Sequence, residues 1–206
     1  MKLVNNPRFV REYDKFREHW DWFIRSRDAG NLSVANTREA VAEMREFVDR
    51  WTGRSGLAEM DRGLREFGAH VTRLERAMER DALEKLVAVL EARDDVVIGE
   101  ILVKASVAFI ELMEEAPEQL RPELLKIYRE HMGRDFDPET DFRKCEEDAD
   151  ENRREFEQAW QQFAADWPER ATPELRERVQ TVEGDALGKW KGDLLAKLDE
   201  LASAAK

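Results

Sequence analysis

Leu57, Met60, Leu64, Phe67, Val71, Leu74 and Met78 follow one another at alternating spacings of three and four residues, three heptads without interruption. That spacing keeps all seven side chains on one stripe of a helix, whereas a strand would scatter them over both faces. No segment alternates apolar and polar residues over a useful length. The sequence therefore predicts an all-α fold: six or seven mostly antiparallel amphipathic helices in a bundle, with one long coiled-coil-like helix as a variant.

Prolines mark where helices begin. Five of the six are followed by glutamate: Pro117-Glu118, Pro122-Glu123, Pro138-Glu139, Pro168-Glu169 and Pro173-Glu174. Proline at the first helical position gives up an N–H that has no partner there, and an acid in the first turn meets the positive end of the helix dipole. Asp137 and Thr172 add capping side chains immediately before two of these prolines.

A segment map follows. Phe9, Tyr13, Phe16, Trp20 and Phe23 form an aromatic stripe on a first helix ending near Gly30. Ser33 or Asn36 caps a second, which stops at Gly53, and a third begins near Ser55. Its heptads slip between Arg80 and Leu83 before Leu86 and Leu90, so it either stutters on to Arg93 or breaks. Asp94-Asp95 is read as the cap of a fourth helix ended by Pro117. Within it, Val96 to Met113 is the most apolar stretch, and with only Glu100, Lys104 and Glu111 on one edge it is expected to be mostly buried. A fifth helix runs from Pro122 to Met132 with Gly133 as its terminator, a sixth from Pro138 to Trp167, and a seventh from Pro173 almost to the end. Phe16-x-x-x-Trp20-x-x-Phe23 recurs as Phe156-x-x-x-Trp160-x-x-Phe163, which reads as two core helices using the same large knobs or as a duplicated unit.

Composition narrows the class further. The chain has 206 residues and a net charge of −12. One cysteine excludes a disulfide scaffold, and Cys145 with His19, His70 and His131 cannot build a zinc cluster. MKLVNNPRFV lacks the apolar core of a signal peptide, so the expected compartment is the cytoplasm, with no membrane span. The charge is unevenly placed. Residues 1–80 hold 16 basic and 14 acidic residues, net +2, and residues 81–206 hold 18 and 32, net −14. The expectation is a single helical domain, 1–206, subdivided into a near-neutral helical segment, 1–80, and an acidic one, 81–206. Asp135 to Glu157 alone carries 11 acids against 4 bases, including Glu147, Asp148, Asp150 and Glu151. Such a run is a solvated helix face or a docking surface for a basic partner, and direct nucleic-acid binding is disfavoured.

No constellation identifies a reaction. Asp135, Asp137, Glu139, Asp141 and Glu146 fall at positions 1, 3, 5, 7 and 12 of a calcium loop, the candidate site for Ca2+, but Thr140 stands where that loop needs glycine. Pro138 also fits better as the first residue of a helix. Neither Glu-x-x-His pairs on two helices nor a Gly-x-Ser-x-Gly elbow occurs. The histidines read as surface or structural residues, and Cys145 as a small core hydrophobe. Two further features point outward. Gly184, Gly188 and Gly192 form a row at successive turns of the last helix, which calls for close approach of another helix or signals a segment that orders with a partner. Trp22 points about 200° away from Trp20 on an ideal helix and suits either an interface, beside Arg25 or Arg8, or burial against a second helix layer of the same domain.

The leading expectation is a non-enzymatic protein–protein interaction module, an adaptor, assembly factor, chaperone-like protein or subunit of a larger complex. It would dock through helix faces and an acidic surface onto a basic protein partner or a second copy. One alternative is a helical ligand-binding protein or enzyme with a pocket near Trp20, Trp51 and Trp160. The other is an acidic decoy covering a nucleic-acid-binding surface of another protein.

Overall fold

The computed structural model describes residues 7–203; the first six residues of the N-terminal stretch weighed against a signal peptide lie outside them. Among the described residues there are seven helices and no strand: α1 (Pro7–Asp28), α2 (Val34–Trp51), α3 (Ala58–Glu115), α4 (Arg121–Met132), α5 (Pro138–Asp166), α6 (Pro173–Thr181) and α7 (Gly184–Ser203). No described helix is long and apolar enough to cross a membrane. The chain forms two compact units. One comprises the described residues 7–84, 164–170 and 194–203, and the other residues 85–163 and 171–193.

Several helix boundaries differ from the sequence expectation, for physical reasons. α3 is one helix of 58 residues. The slip at Arg80–Leu83 does not break it: buried Leu83, Val87, Leu90 and Val97 restore spacings of four, three and seven in a register shifted by two residues. Asp94 and Asp95 are therefore mid-helix residues and not a cap. Pro117 and Pro168 open only turns, closed by Leu120 N–H to Pro117 C=O and by Arg170 N–H to Trp167 C=O. In each case another proline follows five residues on and starts a helix of its own, with Arg121 opening α4 and extended Thr172 capping α6, so no helix of useful length fits between the two prolines. The last expected helix is two: α6 ends at Thr181, and Gly184 takes φ +60° where α7 begins. That left-handed conformation, natural only to glycine, explains one member of the glycine row.

In the first unit α1, α2 and the N-terminal portion of α3 pack as an antiparallel trio. Phe9, Phe47, Trp51 and Leu64 form one buried cluster, and Phe23, Ala40, Val41, Met44 and Val71 another. Phe16 joins them, stacked on Phe47 with ring centres 4.2 Å apart. The heptad stripe of α3 thus closes on α1 and α2 of its own chain, each fully buried aromatic or aliphatic side chain stabilising by roughly 1.5–3 kcal/mol. Polar clamps fix the alignment: the Trp51 indole N–H donates to Glu12 at 2.9 Å, and Arg45 holds Glu75 through two bonds of 2.9 and 2.6 Å. A segment from much later in the chain completes this unit. Trp167 is buried, donates its indole N–H to Asp81 at 3.0 Å, and lies under the guanidinium groups of Arg38 and Arg170, 5.0 and 5.1 Å from its centre.

The second unit buries Val89 and Leu90 of α3, Phe156, Trp160 and Phe163 of α5, Val179 of α6 and Leu187 of α7. Arg176 fastens α6 to α5 by bonding both oxygens of Glu157 at 2.7 Å while lying over the Trp160 ring, and Lys191 reaches Asp94 at 2.7 Å. α3 and α5 approach closely at Gly99. A methyl group there would meet the Ala149 Cα at 3.2 Å, so only hydrogen fits without a shift. Just beside it the Asn152 side chain donates to the Asp95 carbonyl at 2.9 Å.

Candidate functional site

Beyond Gly99 the packing of the second unit changes character. No residue from 100 to 140 is buried, although this stretch contains the most apolar segment of the sequence. The expectation that Val96–Met113 forms a mostly buried helix is therefore corrected: Val96, Val97 and Gly99 are buried, and then the core ends. Ile98, Ile101, Leu102, Val107 and Leu112 of α3 are exposed, Ile101 by 58%, as are Leu120, Leu125, Ile127 and Met132 in and just before α4. α4 itself buries nothing. Scattered exposed apolar residues are ordinary, but a contiguous concentration of this kind is uncommon on a folded protein.

Local sequence explains why α4 stays in place without a core. Pro122 and Glu123 start it, and Gly133, with φ 69°, ends it. Arg121 reaches back to the last turn of α3, donating to the Ala116 carbonyl at 3.1 Å and the Glu114 carbonyl at 3.0 Å. A cation is favoured there because those carbonyls have no helical partner and carry the negative end of the dipole. At the other end Phe109, Tyr128 and Phe136 form a triangle of rings with centres 4.8–5.0 Å apart. Under them lies Asp141, one of two buried polar side chains among the described residues. Its carboxylate accepts the Tyr128 hydroxyl at 2.8 Å, Arg134 at 2.7 Å and the Asp137 backbone N–H at 3.1 Å. Burial first, and then the adjacent Asp141 carboxylate, push the Tyr128 phenol above its ordinary 10.0.

Two hollows result. One, of about 310 Å³, is walled by Leu102, Phe109, Ile127, Met132, Phe136 and Cys145. The other, of about 380 Å³, sits at the α3–α4 turn between Leu112, Pro117, Leu120 and Leu124, with Glu115 and Glu123 on its edge. Both can seat apolar side chains. Cys145, expected as a core hydrophobe, is only half-buried on the wall of the first.

The residues singled out in the sequence lie as follows. The calcium-loop carboxylates are not brought together: Asp135 pairs with Arg129, Asp137 caps α5, Asp141 is held beneath Tyr128, and Glu139 and Glu146 are exposed. The Thr140 hydroxyl donates to Asp137 at 2.7 Å and, with the Thr140 and Glu139 backbone N–H groups, holds that carboxyl below its usual range. Among the described residues no group of three or more metal-ligating side chains converges. Glu147, Asp148, Asp150 and Glu151 are exposed along α5, where Asp150 pairs with Arg153 at 2.9 Å and Glu147 with Arg143 at 3.8 Å. Gly188 and Gly192 are exposed, and a methyl group on either would meet nothing within 4 Å, so no described helix of this chain approaches them closely. Trp22 is exposed and rests on His19 at 5.4 Å, while Arg25 turns back to the Asp21 carbonyl. Trp20 and Trp51 belong to the first unit and Trp160 to the second. A shallow groove of about 210 Å³ does lie beside Trp20, and within its lining Glu12 pairs with Arg50 and His19 with Glu43.

The exposed apolar residues of α3 and α4 were missed in the sequence because apolar content alone does not say whether the rest of the chain can cover it. One signal was present: after Pro117 the chain offers this helix only the 12 residues of α4 and the acidic start of α5. No protein-family model, curated protein or solved structure matches this chain.

Proposed function

We propose that this protein is a cytoplasmic, non-enzymatic interaction module that docks another polypeptide along the seam of α3 and α4. The observation that carries this reading is the uncovered apolar face: a stretch of 41 residues, 100–140, without one buried side chain yet rich in leucine, isoleucine and methionine. Leaving such a face in water forfeits about 25 cal/mol per Å² that covering it would recover. Supporting it, the side chains beneath the face are fixed by Asp141 and Arg121, so the surface is already shaped before anything binds, which lowers the entropy cost of docking. The acidic neighbourhood on α5 adds a field that steers association.

The test is native mass spectrometry of the full chain purified from its own host, as wild type and as Leu102→Asp/Ile127→Asp. Both positions are exposed, so the double variant should keep the wild-type circular dichroism spectrum. The expected result is an assembly that the double variant loses. An assembly that survives the substitution, or a wild-type chain that is always alone, would overturn the reading.

A further inference from the structure

The two hollows on the α3–α4 seam differ at their rims, and the difference identifies an occupant. In the first, the one carboxylate, Asp141, is engaged by Arg134 and Tyr128, so the hollow offers apolar contact. In the second, Glu115 and Glu123 stand at the edge of an apolar floor. Phe109 to Leu112 and Leu124 to Ile127 are both steps of three, so the hollows share one face of each helix. From Leu102 to Leu112 the seam runs roughly 15 Å, the length of about three turns of a helix lying along it.

Charge decides between kinds of partner. The residues of the second unit include 15 basic and 26 acidic side chains, a net of −11. A second copy would bring that same charge against this face, and an anionic bilayer would be repelled likewise, whereas a cationic segment is drawn in. We propose that the seam receives a cationic amphipathic helix of another protein. Its apolar residues at i, i+3 or i+4 and i+7 fill the two hollows, and a lysine or arginine faces Glu115 and Glu123. This rests on the docking role proposed above and names the chemistry of the partner.

The experiment uses the full chain and a fluorescein-labelled Leu/Lys peptide of about five helical turns with its leucines on one face. A scrambled isomer and a Leu/Glu counterpart serve as controls. Binding is followed by anisotropy and by protection of Cys145, the single cysteine, from a thiol reagent. The Leu/Lys peptide should bind saturably and slow Cys145 modification several-fold. Leu102→Asp/Ile127→Asp should weaken binding about tenfold or more, and Leu195→Asp, exposed on α7, should leave it unchanged. Glu115→Lys/Glu123→Lys should weaken the Leu/Lys peptide and favour the Leu/Glu one. Equal binding of the scrambled isomer, or binding without Cys145 protection, would overturn the proposal. A wild-type dimer that Leu102→Asp/Ile127→Asp dissolves would replace the cationic helix with a second copy and leave the docking role standing. If neither peptide binding nor the host-purified assembly responds to that double variant, the docking role falls as well.

Discussion

The two ends of α3 carry the same kind of apolar heptad and meet opposite fates. Leu64 and Val71 disappear into an aromatic core made with α1 and α2. Ile98, Leu102 and Leu112, spaced no differently, stand in water beside α4. The spacing of apolar residues sets which face of a helix is sticky. Whether that face becomes core depends on what the rest of the chain can lay against it, and here α1 and α2 bring Phe9, Phe16, Phe23, Phe47 and Trp51 while α4 brings a single short turn-bounded helix.

The sharpest way to break this contrast is truncation on each side of it. Phe23→Ala should cost about 3–5 kcal/mol in denaturant unfolding, since it empties a site that is 1% exposed. A loss below about 1 kcal/mol would mean that the first unit is not held by this core. Next come two glycines at helix crossings, one in each unit. Gly99→Ala drives a methyl into the Ala149 backbone and should cost about 1–3 kcal/mol, whereas Gly68→Ala presses only on a Val48 methyl at 3.0 Å and should cost less. Equal melting temperatures for the two variants would refute the tighter crossing in the second unit.

The polar anchors of the two units should fail at opposite ends of the pH scale. Hydrogen bonds from Arg8, then Trp51 and Arg50, lower the Glu12 carboxyl from 4.5 to about 2. Its contribution is therefore complete above pH 4.5 and fades as pH falls toward 2, and Glu12→Gln should flatten that region of the stability profile. The raised Tyr128 phenol works in reverse. Its contribution is complete below pH 10 and is lost as alkali finally ionises it, so Tyr128→Phe should remove the alkaline loss. Smallest of all, Ile101→Ser should change stability by no more than about 0.5 kcal/mol, because that side chain is 58% exposed. A large loss there would show that the face is covered within the chain after all.

Much of the fold could be read in advance wherever a local signal suffices. Ser33 accepts the Asn36 N–H and starts α2, Asp137-Pro138 and Thr172-Pro173 start α5 and α6, and Gly133 ends α4. These depend on a few neighbouring residues and on capping chemistry that seldom has a rival. What the sequence misjudged depends on distance. The slip at Arg80–Leu83 reads as either a stutter or a break until Leu83, Val87 and Leu90 are found buried along one continuous helix, and Val96–Met113 looks like core until α4 fails to cover it. Gly184 was ambiguous for another reason: the same residue suits a helix crossing and a left-handed turn, and only the backbone chooses.

The burial of Trp167 between Arg38 and Arg170 carries a consequence for how the protein comes into being. The residues of the first unit up to Glu84 leave the ribosome more than eighty residues before the tryptophan that seals them. At about 5–20 residues per second, that is an interval of roughly 4–16 s. During it α1, α2 and the start of α3 can form their aromatic core, yet the edge at Leu74, Met78 and Asp81 has no lid. For those seconds the newborn chain exposes an apolar edge that Trp167 later lines.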